Sequence, residues 1–153
     1  MKGMFSSGEF AAYASYDIVG DIAIMRLHES LQPRRRAVAR AIMREHRSVR
    51  TVLQQISPVS GGFRLRRFRW VAGGKKTETT HRESSCVFKL DLKRCYFSPR
   101  LSYERMRIAR RVRLGETVVN MFAGVGCYSI TIAKHSEAER IYSIDVNPAA
   151  VKY

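Results

Sequence analysis

Phe122, Ala123, Gly124 and Gly126 stand in a small-residue loop, within VVNMFAGVGCYS at 118–129, between an apolar run and a helix-like segment, CYSITIAKH. Small residues let the backbone approach a ligand, and the N-terminus of the next helix offers unpaired N–H groups to an anionic group. Asp145 follows nineteen residues after Gly126, at the end of a second apolar run, RIYSIDVNP at 140–148. A carboxylate there can accept hydrogen bonds from both ribose hydroxyls of an adenosine cofactor. A glycine pair alone is weak evidence. Strand, small-residue loop, helix, strand and terminal Asp in that order are much stronger.

The elements that must position this loop can be read on either side of it. TVVNMF at 117–122 is apolar and β-branched, as expected of a fully buried parallel strand. Ahead of it, Ser98 followed by Pro99 fits a helix start, and Ser102 is an equally legal one. Leu101, Ile108 and Val112 could form the buried seam of that helix, which Gly115 ends.

The upstream part reads as a separate unit. YDIVGDIAIMRL at 16–27 is extended, with a break at Gly20-Asp21, and RRRAVARAIMREHRS at 34–48 places Val38, Ala41, Ile42 and Val49 at helical spacing. Strand-like runs follow at 50–56, 63–72 and 86–92, separated by SPVSGG and AGGKK. In FRLRRFRWVA the side-chain parity slips at Arg66-Arg67, which predicts a bulge. Arg64, Arg66, Arg67 and Arg69 then form a basic strand that could lie against RNA backbone, or simply the charged outer face of a half-buried strand. The expected division is a tail at 1–14, a basic α+β domain at 15–95 and a cofactor-binding part at 96–153.

Charge supports a polyanionic partner. The chain of 153 residues carries 28 Lys and Arg against 13 Asp and Glu, a net charge of +15. Residues 1–95 hold 19 basic and 8 acidic side chains, and residues 96–153 hold 9 and 5, so the first part is the electropositive one. Arginine suits phosphate because its fork donates two hydrogen bonds at once. No apolar run approaches the roughly 20 residues of a membrane span, and the N-terminus carries no export signal, so a cytoplasmic protein is expected. Cys86, Cys95 and Cys127 are odd in number and widely spaced, which argues against a disulfide framework and a zinc site.

Three blocks, YFSPRLSYERMRIA, VVNMFAGVGCYSI and IYSIDVNPAAVKY, together resemble the archaeal and eukaryotic enzymes that methylate N1 of the guanosine just 3′ of the tRNA anticodon, guanosine 37. SYDIVGDIAI, SPVSGGFRLRRFRWVAG and KTETTHRE are similar to further parts of the same family, so the resemblance runs from about Ser15 onward. It implies an α+β N-terminal domain followed by the first part of an α/β Rossmann-like class I methyltransferase domain. It also implies S-adenosylmethionine as cofactor and tRNA as partner, without a metal, in a protein expected to be a monomer.

Carried over by residue, Phe122, Ala123, Gly124 and Gly126 resemble the cofactor loop and Asp145 the ribose-binding acid. Arg100 in FSPRL resembles the arginine that contacts the target guanine, though a helix-start arginine could equally bind only phosphate. Tyr142 could line the pocket or serve the core. Asn120 stands where many members have Asp, which would alter contacts around the methionine end of the cofactor.

The chemistry implied is attack by guanine N1 on an electrophilic methyl group, with a base removing the N1 proton and Arg100 stabilising charge on O6. The target base is expected to leave its stack. The family's Asn-Pro motif and general base have no counterpart up to Tyr153, so the chain reads as a fragment whose cofactor part is less stable than its basic part. Two rivals stand beside this reading. One is the wybutosine branch, which transfers an aminocarboxypropyl group or methylates a tricyclic guanosine derivative; FSPRL favours the N1-methyltransferase. The other is a non-catalytic RNA-binding module.

Overall fold

Gly20 and Asp21 turn the chain between its first two strands, as the sequence break suggests, in a computed structural model that describes residues 14–153. The expected tail at 1–14 lies outside the described residues except for Ala14, which opens β1 (Ala14–Val19). Strand β1 pairs antiparallel with β2 (Ile22–Leu27), from Ala14 opposite Leu27 to Val19 opposite Ile22. The order continues through β3 (Thr51–Gln55), parallel to β2, to β4 (Phe68–Gly73), antiparallel to β3.

A parallel β2–β3 pair needs a crossover, and helix α1 (Arg35–Glu45) supplies it, preceded by a 3₁₀ turn over Glu29–Arg34. Val38, Ala39 and Ile42 of α1 pack with Ala23, Met25, Val49, Val52 and Val71 into one core. Val49 enters that core from beyond the helix, which ends at His46, and Ala41 is only half-buried. Arg36, Arg40 and Arg44 stand four residues apart along the exposed face.

The run 63–72 is not one strand. Only Phe68–Gly73 joins the sheet, and the bulge lies at Val71, because Val52 faces Ala72 while Leu53 faces Trp70. Residues 60–65 instead close a tight turn on an isolated Ser60–Leu65 bridge. Two glycines and the left-handed backbone of Arg64 suit a turn better than a strand.

The described residues form two compact units, one of residues 14–58 and 67–76, the other of residues 59–66 and 77–153. Their division therefore does not fall at 95/96. The second unit begins its ordered run with the hairpin β5 (Glu78–Glu83) and β6 (Cys86–Asp91), turned at Ser84-Ser85, both with positive φ. That two-residue turn matches the twist of the strands it joins. The polar ETTHRE of β5 hides its strand character in the sequence. Cys86, Phe88 and Leu90 alternate inward from β6, and the Phe88 and Phe97 rings meet at 6.0 Å.

A 3₁₀ turn over Pro99–Leu101 leads into α2 (Ser102–Ala109), then β7 (Thr117–Asn120), α3 (Cys127–His135), β8 (Arg140–Ser143) and the short α4 (Pro148–Val151). The helical start does fall at Ser98, the N-cap residue of the 3₁₀ turn with Pro99 in its first positions, but the Ser98 side chain makes no capping hydrogen bond, and α2 proper follows with Leu101 as its N-cap. The expected apolar seam is also absent, since Leu101 is exposed and the buried residues are Arg105 and Ala109. Helix α2 packs on α3, and β7 and β8 pair in parallel from Thr117–Arg140 to Asn120–Ser143. The β7–α3–β8 order is the opening unit of a Rossmann-like α/β domain. Strand β7 is not buried on both faces: Val119 is 55% exposed, because the sheet here has two strands and α3 covers only part of it.

Candidate functional site

The loop after β7 and the end of β8 are joined by backbone as well as by side chains. Ala123 N–H donates to Ile144 O at 2.9 Å, and Ile144 N–H donates to Asn120 O at 2.9 Å. Gly126 then caps α3 with φ 78°, a left-handed conformation that glycine adopts without Cβ strain. No side chain caps this helix, so its first-turn N–H groups remain open toward the loop.

Asp145 is the hinge of the arrangement. One carboxylate oxygen accepts from Gly124 N–H at 2.7 Å and the other from Asn147 N–H at 2.8 Å. A carboxylate has about four lone-pair positions, so roughly two remain for hydroxyl donors. Asn147 is itself buried: its Nδ2 donates to Arg94 O at 2.7 Å, and its Oδ1 caps α4 by accepting from Ala149 N–H at 3.0 Å. Pro148 at the first position of that helix is pre-set for it.

These residues line a cleft of about 200 Å³. Ala123, Gly124, Cys127 and Tyr128 form one wall, Asp145, Val146 and Asn147 another, and Tyr96, Phe97, Ser98 and Arg105 the base. Phe122 and Val146 stand at the mouth, 84% and 76% exposed. The donors and apolar faces fit an adenosine-type cofactor: a carboxylate with spare acceptor positions, a backbone loop that side chains do not obstruct, and two exposed apolar flanks. Gly62, Phe63 and Arg64 complete the lining from the 60–65 turn.

The base is fixed by a cation absent from the sequence expectations. Arg105, 2% exposed, pairs with Glu83 and donates to Ser98 O at 3.2 and 3.3 Å. A basic residue inside an apolar seam is usually read as surface, and only Glu83 at the inward parity of β5 could have signalled its partner. Burial pushes the Cys127 thiol up to about 12, with Arg105 opposing and Glu83 reinforcing the shift, so this cleft cysteine stays protonated at neutral pH. His81, 5.0 Å from the Phe97 ring, has its pKa lowered by burial despite Glu83 at 3.3 Å.

The structure brings Phe122, Ala123, Gly124 and Asp145 to the cleft, with Gly126 just behind as the helix cap. Asn120 is turned away from it, donating to Ser129 Oγ at 2.9 Å, which also accepts from Ser143 Oγ at 2.7 Å. Tyr142 is half-exposed on β8, its hydroxyl accepting from Arg140 at 3.3 Å, and belongs neither to the cleft nor to the core. Arg100 sits exposed in the turn between Ser98 and Leu101, which both line the cleft. The four arginines do not share a strand. Arg64 and Arg66 belong to the second unit, Arg67 and Arg69 to the first.

Residues 79–153 match the TRM5/TYW2 methyltransferase domain, and residues 7–77 match the TYW2 N-terminal domain. The chain belongs to the TRM5/TYW2 family. It is 44% identical to the tRNA (guanine(37)-N(1))-methyltransferase Trm5b of Pyrococcus abyssi over 139 residues, which are 91% of this chain and 42% of that protein. It is similar to aTrm5 in its solved complex with tRNALeu, with TM-score 0.81 and 37% identity over 90% of this chain and 40% of that one. It also matches Methanocaldococcus jannaschii Trm5 in complex with adenosine, with TM-score 0.75 and 34% identity over 90% of this chain and 41% of that one. The chain thus spans about two-fifths of the length of these TRM5 relatives. Among the described residues, no helix is long and apolar enough to cross a membrane, and no three His, Cys, Asp or Glu side chains gather as a metal site would need.

Proposed function

We propose that this TRM5/TYW2 chain binds S-adenosylmethionine in the Asp145 cleft and serves methyl transfer to N1 of guanosine 37 in tRNA. The observation that carries the reading is Asp145 itself, held by Gly124 and Asn147 N–H groups with acceptor positions to spare at the end of β8. The names of its TRM5 relatives support the substrate, and the adenosine complex of one supports the cofactor. A tRNA partner would place the work in the cytoplasm.

When bound, the cofactor would supply an electrophilic methyl group. Asp145 would take the ribose hydroxyls, the uncapped start of α3 would face the carboxylate end, and Phe122 and Val146 would flank the adenine. Cys127, kept as a thiol, would not compete as a nucleophile. Asn120 would act from behind, steadying the first turn of α3 through Ser129. Arg100, carried beside the cleft by the Pro99–Leu101 turn, would donate to guanine O6 as charge builds there.

Calorimetric titration of the chain with S-adenosylmethionine tests the first half. Saturable binding weakened roughly tenfold or more by Asp145→Ala is expected, by loss of two charge-assisted hydrogen bonds. No binding to the wild-type chain would end the proposal. Methylation assays on tRNA transcripts with guanosine or adenosine at the target position, using protein purified from its source cells, test the second half. The match of residues 7–77 to the TYW2 N-terminal domain favours one second reading, aminocarboxypropyl transfer from the same cofactor. The mass added to the nucleoside separates the two.

A further inference from the structure

Asp145 and Asn147 repeat one local device. Each side chain accepts a hydrogen bond from the backbone N–H two residues on, Asp145 from Asn147 at 2.8 Å and Asn147 from Ala149 at 3.0 Å. Asp and Asn favour this turn because their short side chains reach that N–H directly. The cap asks only for an acceptor, so Ser or Asp would serve at 147 as well as Asn. Asn adds a donor. Its Nδ2 reaches back 53 positions in sequence to Arg94 O at 2.7 Å, in a residue only 5% exposed.

Arg94 O opens the segment that forms the base of the cleft. Behind it the chain is fixed by the turn that closes β6, where Asp91 O accepts from Arg94 and Cys95 N–H at 3.0 and 2.8 Å. Ahead of it come Tyr96, Phe97 and Ser98, which line the cleft, and then the Pro99–Leu101 turn with Arg100. Side chains hold three carbonyls along this stretch: Asn147 holds Arg94 O, Arg66 holds Phe97 O and Arg105 holds Ser98 O. Arg105 is fixed by Glu83, and Arg66 comes from beside the 60–65 turn, so neither grip passes through Asp145. The grip of Asn147 does, because its own N–H is bound to that carboxylate. Gly124, the other N–H on Asp145, faces the same segment: a Cβ built there would stand 4.0 Å from Tyr96 O.

We infer that Asn147 is a positioning residue that couples the two occupants of the cleft: a cofactor on Asp145 fixes Asn147, Asn147 fixes Arg94 O, and segment 96–100 is ordered before the target nucleotide arrives. This deepens the proposed methyl transfer and rests on it. A segment already ordered by the first ligand costs the second less conformational entropy, and by linkage each ligand tightens the other by the same factor.

The test is calorimetric titration of S-adenosylhomocysteine, which has no methyl group to transfer, with and without saturating unmodified tRNA transcript. It compares the wild-type chain with Asn147→Ser and Asn147→Asp. In the wild-type chain, tRNA should tighten S-adenosylhomocysteine at least about fivefold. Asn147→Ser keeps an acceptor for Ala149 N–H and loses the reach to Arg94 O, while Asn147→Asp keeps the cap and the size and sets an acceptor against that carbonyl. In both variants the ratio of affinities with and without tRNA should fall to about one, whatever the loss in each affinity alone. A merely structural loss would weaken both titrations alike and leave the ratio at its wild-type value. That result would overturn the coupling, as would a wild-type ratio of one. Should either variant fail to fold, hydrogen exchange in the wild-type chain decides: S-adenosylhomocysteine alone should slow exchange of the amides of residues 95–98. Unchanged exchange there would overturn the coupling while leaving the cofactor reading intact. A wild-type chain that binds no S-adenosylhomocysteine would overturn the coupling and the proposed function together.

Discussion

Glu83 and Arg105, 22 positions apart, form a buried two-pronged ion pair, with Arg105 Nη2 donating to Glu83 Oε2 at 2.7 Å and Nε to Oε1. Their side chains are 9% and 2% exposed. The Arg105 guanidinium also lies 5.4 Å from the Phe97 ring and reaches Ser98 O. One side chain thereby ties the β5–β6 hairpin, helix α2 and the base of the cleft together. The segment that carries Arg100 starts from the carbonyl it holds.

Removing either partner strands a charge away from water. Arg105→Ala or Glu83→Ala should each cost about 3–5 kcal/mol in urea unfolding, while the double change Glu83→Leu with Arg105→Met should cost far less than the two single losses combined. Additive losses in that cycle would show that the pair does not act as a unit.

The loop, the following helix and Asp145 were legible because each has a local cause: small residues, an apolar run, an acid at a strand end. The Glu83–Arg105 pair was not, because its partners come from a polar strand and a charged helix and meet only in the tertiary fold. FRLRRFRW misled in the same way. Alternating Phe and Arg from Phe63 imitates one strand, while Gly61-Gly62 and the bridge from Ser60 to Leu65 close a turn first. The exposure of Val119 has a different origin: burial of a parallel strand depends on its neighbours, which its own residues do not encode.

Cys127 should be slow to alkylate. With its thiol pushed up to about 12, the thiolate at pH 8 is on the order of 10⁻⁴ of the population, against about a quarter for an ordinary cysteine. Peptide mass mapping after iodoacetamide should show modification at least ~100-fold slower folded than in urea. Because the folded value lies above that of an ordinary thiol, this stabilisation is complete below the ordinary thiol range and lost as pH rises toward about 12. Tyr153, raised to about 12 chiefly by its hydrogen bond to Glu78, acts in the same direction. His81 acts at the other end. Its lowered pKa gives stability that is present above 6.5 and lost as pH falls through the folded value. Stability should therefore decline on both sides of a neutral plateau, and Cys127→Ala should flatten the alkaline side; an unaltered alkaline slope in that variant would contradict the assignment.

Gly73 closes β4 with φ 76°, and a Cβ there would stand 2.1 Å from Arg50 O. That carbonyl also accepts from Gly74 N–H at 3.0 Å, so it cannot retreat without breaking the close of the sheet. Gly73→Ala should cost more than about 2 kcal/mol, from the left-handed backbone plus the clash. The loss should appear first in the amide exchange of β3 and β4. Wild-type protection there would mean that the backbone yields more cheaply than this geometry allows.

Arg100→Ala separates chemistry from binding. Arg100 is exposed in the turn at the cleft and makes no part of the wall that holds Asp145, so its loss should leave S-adenosylmethionine affinity within about 0.5 kcal/mol of wild type. If it donates to guanine O6 only as charge develops, turnover should fall about 10²–10³-fold with little change in tRNA affinity. Arg100→Lys should recover part of that loss, since one donor remains in reach. A uniform loss of tRNA affinity with turnover intact would instead make Arg100 a phosphate contact, and the group that polarises O6 would then have to be sought elsewhere around the cleft.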